Sequence, residues 1–79
     1  MATTYQVDKL VDAKGQSCPM PVVMLAKAFK DLTPGQILAI SATDPGSKPD
    51  VTAWADKTGN TLLEMVEEQG VFTFYLQKA

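Results

Sequence analysis

The chain is 79 residues long, 46% apolar, and carries seven lysines, no arginine, no histidine and a formal charge of −2. That is one small domain, 1–79, near the size where a single hydrophobic core is only just sufficient, and too apolar to be globally disordered. One cysteine and no histidine exclude an internal disulfide framework and the usual zinc sites, and the scattered lysines give no basic stripe for nucleic acid.

Met1 to Thr4 read as a loose end. Tyr5 to Val11 mixes apolar and polar residues and reads as a weakly patterned first strand, followed by a loop at Lys14-Gly15-Gln16-Ser17. Pro19 to Leu32 carries the clearest helical spacing, with Val22, Leu25, Ala26, Phe29 and Leu32 on one face; Thr33-Pro34-Gly35 stops it. Gln36 to Thr43 is a short apolar run of strand length. Asp44-Pro45-Gly46-Ser47 turns into a second helix, Lys48 to Lys57, with Ser47 as its expected N-cap, Pro49 in its first turn and Gly59 as its left-handed cap. Thr61 to Glu67 and Val71 to Gln77 read as a hairpin of the longer-loop type. In the last strand Phe72, Phe74 and Leu76 share one face.

The order is therefore β-α-β-α-β-β. Right-handed crossovers put both helices on one face of a four-stranded mixed sheet, a two-layer α/β (α+β) sandwich. The other face stays partly open and carries apolar residues such as Tyr75 or Val71.

Chemistry concentrates at Cys18-Pro19-Met20-Pro21. Pro19 pushes Cys18 out of the α region and itself suits the first helical position, so Cys18 falls at the N-cap. There the helix dipole favours a thiolate, and Lys14 can add to that field. Pro19 and Pro21 have no N–H, however, which removes two of three close donors. The thiol pKa is thus expected to fall moderately, and an alkylation midpoint below about 5 would contradict this. Without histidine, a Cys-His hydrolase is disfavoured. Glu64, Glu67 and Glu68 read as solvated charges, and the glycines form no phosphate-binding fingerprint.

The segment Val11-Asp12-Ala13-Lys14-Gly15-Gln16-Ser17-Cys18-Pro19-Met20-Pro21 resembles the Asp-x-x-Gly-x-x-Cys-Pro-x-Pro signature of the TusA/SirA family of small sulfur-carrier proteins. Ala42-Thr43-Asp44-Pro45-Gly46 is similar to that family's strand-to-helix turn, and the likeness runs from about residue 7 to residue 78. The resemblance implies a sulfurtransferase in which Cys18 carries sulfane sulfur as a persulfide and passes it to a partner thiol. It also implies that Asp12 and Gly15 shape the loop and that Pro19 and Pro21 fix the helix start. Asp44 reads as a turn former ahead of a proline. Ser17 and Met20 stand where some family members have a basic and an acidic residue, and an apolar Met20 suggests a more apolar docking surface beside Cys18. The partners implied are sulfur donor and acceptor proteins, rhodanese-like, desulfurase or relay proteins, in tRNA modification, cofactor assembly, sulfur oxidation or transport.

No metal or organic cofactor site is expected, and neither nucleic-acid binding nor membrane insertion. A free cysteine, with no basic and apolar leader at the N-terminus, suits the cytoplasm. Two other readings of the residues stand beside the carrier: a non-catalytic interaction module that docks through the open sheet face, and a redox sensor that forms a sulfenic acid at Cys18.

Overall fold

The computed structural model describes residues 6–17 and 20–79. Its elements are β1 (Lys9–Ala13), α1 (Met20–Phe29), β2 (Ile37–Ala42), α2 (Ser47–Thr58), β3 (Thr61–Glu68) and β4 (Val71–Gln77). They form one mixed sheet of order β1-β2-β4-β3. β1 and β2 are parallel, while β4 runs antiparallel to both β2 and β3 and lies between them. Each helix is thus a crossover between parallel strands, α1 to a neighbour and α2 across the intervening β4. Both cover the same face, α1 over β1 and β2 and α2 over β3 and β4.

The core lies between those layers. Leu38, Ile40 and Ala42 from β2 alternate inward beside Phe72, Phe74 and Leu76 from β4, and meet Leu25 and Phe29 of α1 and Val51 and Ala55 of α2. Phe29 and Trp54 join the helices edge to face, with ring centroids 5.0 Å apart at 83°. On the opposite face Leu10, Ala39, Tyr75 and Glu64 lie in register across all four strands.

Several boundaries differ from expectation. Tyr5, like Met1 to Thr4, lies outside the described residues; among those described the first strand is Lys9–Ala13 rather than running from residue 6 to Val11, because the parallel register with β2 (Lys9↔Leu38 to Ala13↔Ala42) decides which residues pair. The α-helical part of α1 ends at Phe29. The chain then tightens into i→i−3 bonds from Lys30, Asp31 and Leu32. Lys78 closes this end, its Nζ donating to the Phe29 carbonyl at 2.9 Å and the Leu32 carbonyl at 2.7 Å. The buried face of α1 is Pro21, Leu25, Ala28 and Phe29, continued by Leu32 just beyond it, so Ala28 takes the place expected for Ala26, and Val22 is only partly buried.

Ser47 is not an N-cap. It lies inside α2, buried, and its hydroxyl donates to the Asp44 carbonyl at 2.6 Å; Gly46 holds the cap position with no side-chain bond. At the other end Gly59 has φ +76, and Asn60 N–H reaches back to the Ala55 carbonyl, a Schellman closure. The β3–β4 hairpin is tighter than the longer loop expected: Glu68 pairs with Val71, and Gln69 (φ +52) and Gly70 (φ +78) form a two-residue turn of the I′ kind. Glu67 is more than a solvated charge. It pairs with Lys48 at 3.0 Å, and the Lys48 ammonium also lies 4.6 Å from the centroid of the Phe72 ring.

Candidate functional site

β1 and β2 run in parallel, so their C-terminal ends, Ala13 and Ala42, lie side by side. The loop into α1 and the loop into α2 therefore leave the sheet at the same edge, the edge where open parallel sheets tend to place their ligands.

The first loop is held by its own backbone chemistry. The Asp12 carboxylate accepts the Lys14 N–H at 3.0 Å, an Asx turn, and the Lys14 ammonium lies 3.7 Å from the same oxygen with both groups well exposed. Gln16 N–H then donates to the Ala13 carbonyl at 3.2 Å, which closes a four-residue turn. Gly15 takes its third position at φ +82, the left-handed value that a type II turn requires there. Gly15 N–H also donates to the Thr43 hydroxyl at 2.9 Å, which ties this loop to the end of β2. The Ser17 carbonyl accepts the Met20 N–H at 2.9 Å, which links the described chain on either side of residues 18 and 19.

Cys18, expected at the N-cap, and Pro19, expected at the first helical position, lie outside the described residues. Pro21 is in the first turn of α1 with its ring fully buried. A missing N–H costs nothing at that position, since first-turn donors have no partner within the helix. Pro21 is therefore a core anchor as well as a helix starter. Asp12 and Gly15 meet in one turn, and Asp44 opens the neighbouring loop, where its carbonyl accepts both the N–H and the hydroxyl of Ser47.

Thr43 has no assigned role in the sequence reading, yet it is the residue that joins the two loops. The signal for it was indirect: two parallel strands of similar length bring the residues just after each strand together. The outward stripe of α1 adds a second feature. Met20 and Val23 are 42% and 38% exposed, two of the four large apolar residues that are exposed among those described. No group of three or more Cys, His, Asp or Glu that could hold a metal occurs among the described residues, and no described helix is long and apolar enough to cross a membrane.

Comparison with known proteins adds to this geometry. Residues 9–78 match the family model described as "Sulfurtransferase TusA". The Bacillus subtilis protein named "Putative sulfur carrier protein YrkI" is 49% identical over 71 residues, spanning 90% of this chain and 95% of that protein. The sulfur carrier protein TusA of Allochromatium vinosum is 43% identical over 72 residues, spanning 91% and 95%. In three dimensions the chain is similar to the crystal structure of a SirA-like protein from Desulfitobacterium hafniense, with a TM-score of 0.78, 25% identity, and coverage of 87% of this chain and 95% of that one.

Proposed function

Since the chain belongs to the TusA family of sulfurtransferases, we propose that it is a sulfur carrier whose working group is the Cys18 thiol. The observation that carries the reading is the family match across residues 9–78, a span that contains the chain's single cysteine.

The chemistry needs few groups from the carrier. The Cys18 thiolate attacks the terminal sulfur of a donor protein's persulfide, a new S–S bond forms, and the donor thiolate leaves with the electron pair. Cys18 is then a persulfide. In the second step an acceptor protein's thiolate attacks that terminal sulfur and releases the Cys18 thiolate. One sulfur atom moves, and the chain ends in the state in which it began. Such a relay needs a nucleophilic sulfur on an accessible corner, and the rest of each active site comes from the donor or acceptor. Rhodanese-like, desulfurase and relay proteins suit those roles. In this reading the chain acts as one domain in the cytoplasm, where a free thiol persists.

The supporting positions have physical roles in the same reading. Asp12 and Gly15 fix the turn that precedes Cys18, Pro21 anchors the start of α1 in the core, and Pro19 is assigned to the helix start by its sequence position alone.

The test is intact mass after incubation with polysulfide or tetrathionate, run beside Cys18→Ser. A reducible adduct containing added sulfur, on the unaltered chain alone, is expected. Equal loading of the Ser variant would overturn the reading.

A further inference from the structure

We propose that the open face of the sheet docks a cationic amphipathic helix of a partner protein, laid along β2 and β4 with its apolar stripe on Leu10, Ala39 and Tyr75 and its basic side chains towards Glu64 and Glu68. The surface is separate from the loop edge, and the inference goes beyond the carrier reading without resting on it.

The pattern of β2 calls for cover on both sides. Ile37, Leu38, Ala39 and Ile40 are apolar in succession, as in strands with a layer packed on each face, yet only the side of Leu38 and Ile40 meets helices. In the row across the sheet Leu10 is 79% exposed, and Ala39 is the floor between Leu10 and Tyr75. Ser41 and Thr73 continue that low ground in the next row. A helix about 10 Å wide spans the two central strands, which are about 4.8 Å apart, and one flank of it then faces β3. Charge sets the chemistry of that flank. Asp12, Glu64 and Glu68 are on the open side, whereas Lys9, the one lysine in a strand, turns to the helix layer and pairs with Asp31 at 3.1 Å. Lys14 lies 3.7 Å from Asp12, but Glu64 and Glu68 are exposed and in no ion pair among the described residues. Along β3 those two are about 13 Å apart, which two turns of helix match to within the reach of a lysine. A second copy of this chain would bring the same acids to the face again, and an anionic membrane would be repelled by it.

The probe is a synthetic helix of about eighteen residues, with leucines on one face and lysines two turns apart beside them; a second peptide has glutamates for the lysines. Each is titrated into the full, isotope-labelled chain under reducing conditions, and backbone amide shifts are followed by NMR. The lysine peptide should shift Leu10, Ala39, Ser41, Val66 and Thr73, with no centre on α1 or α2, and should bind roughly tenfold more tightly than the glutamate peptide. Glu64→Gln with Glu68→Gln should weaken the lysine peptide about fivefold, the worth of two exposed ion pairs, and remove the salt dependence. Leu10→Ser should weaken it about tenfold through lost apolar contact. Asp56→Asn removes an exposed acid from α2 and should leave binding within about twofold. No binding up to about 1 mM peptide, shifts centred on the helices, equal binding of both peptides, or no effect of the Glu64 and Glu68 substitutions overturns the proposal. Self-association of the chain alone, or binding to anionic lipid vesicles, that shifts the same residues overturns it too, because either gives the face another occupant.

Discussion

Gly15→Ala tests whether the loop before Cys18 depends on backbone conformation rather than on packing. Gly15 is held at φ +82, and a Cβ built there meets nothing within 4 Å, so the cost of an alanine is purely conformational. For an L-residue in the left-handed region that cost is about 1–2 kcal/mol, partly offset by the lower entropy of the unfolded alanine chain, for a net of about 1 kcal/mol. In a domain of this size that is a fall in Tm of about 4–8 °C. Gly70 supplies the control, at φ +78 with equally open space, but in the β3–β4 hairpin. Gly70→Ala should lose the same stability. The variants should differ in function: a turn that shifts to relieve strain at residue 15 displaces the chain leading to Cys18, and sulfur loading should slow by up to about fivefold, the rate equivalent of 1 kcal/mol. Gly15→Asn should recover most of both losses, because asparagine tolerates the left-handed region. Trp54, the only tryptophan, packs edge-on against Phe29 and reports unfolding in urea, while mass spectrometry reports loading. If both alanine variants slow loading equally, or if Gly15→Ala costs no stability, the turn does not act on Cys18 as argued.

Other outcomes follow from single contacts. Thr43→Val removes the hydroxyl that accepts Gly15 N–H; because the site is exposed and water can replace it, the loss should be about 0.5–1.5 kcal/mol, with a fall in loading that Thr43→Ser restores. Lys78→Met keeps the aliphatic stem but strips two carbonyls at the end of α1 of their donor; about 2 kcal/mol should be lost in urea unfolding, with no change in loading per folded molecule. Gln69→Gly should stabilise the hairpin by a few tenths of a kcal/mol or more, seen as a raised Tm, because Gln69 is the one non-glycine residue at positive φ among those described.

The parts of this fold that were legible from sequence are those whose pattern is local. Val71 to Gln77 alternates without interruption, and Phe72, Phe74 and Leu76 are all buried. Gly59 ends a helical pattern and is found in the left-handed cap. Where two phases compete, the sequence is ambiguous. The alanines at 26 and 28 both fit an apolar stripe, and the face that α1 buries runs through Ala28, in line with Pro21 and Leu25. Ser47 has a cap residue's chemistry, but the preceding turn is closed by its own bond to the Asp44 carbonyl, which draws it into the helix. The pairing of β1 with β2 and the Gly15–Thr43 bond, 28 residues apart, depend on tertiary register and leave no mark at either position alone. The same division holds at the site: Gly15 was visible as a loop glycine, while its acceptor was not.

That division bears on how a carrier of this size can work. The core occupies the space between the sheet and both helices, and of the loop contacts that precede Cys18 only the Gln16–Ala13 bond touches it, through the carbonyl of buried Ala13. The Asx turn at Asp12, the left-handed Gly15 and the Thr43 hydroxyl are all exposed hydrogen-bond or backbone constraints, each worth about 1 kcal/mol. Pro21 is the exception, since its buried ring couples the helix start to the core. Substitutions in the loop should therefore slow sulfur transfer at a cost of only about 1 kcal/mol each, whereas enlarging or removing the Pro21 ring should damage the core as well. A domain near the lower size limit for a single core has little stability to spare. Under the proposed carrier role of Cys18, a corner held mostly by exposed constraints can vary at its exposed positions, such as Ser17 and Met20, at little cost to the core.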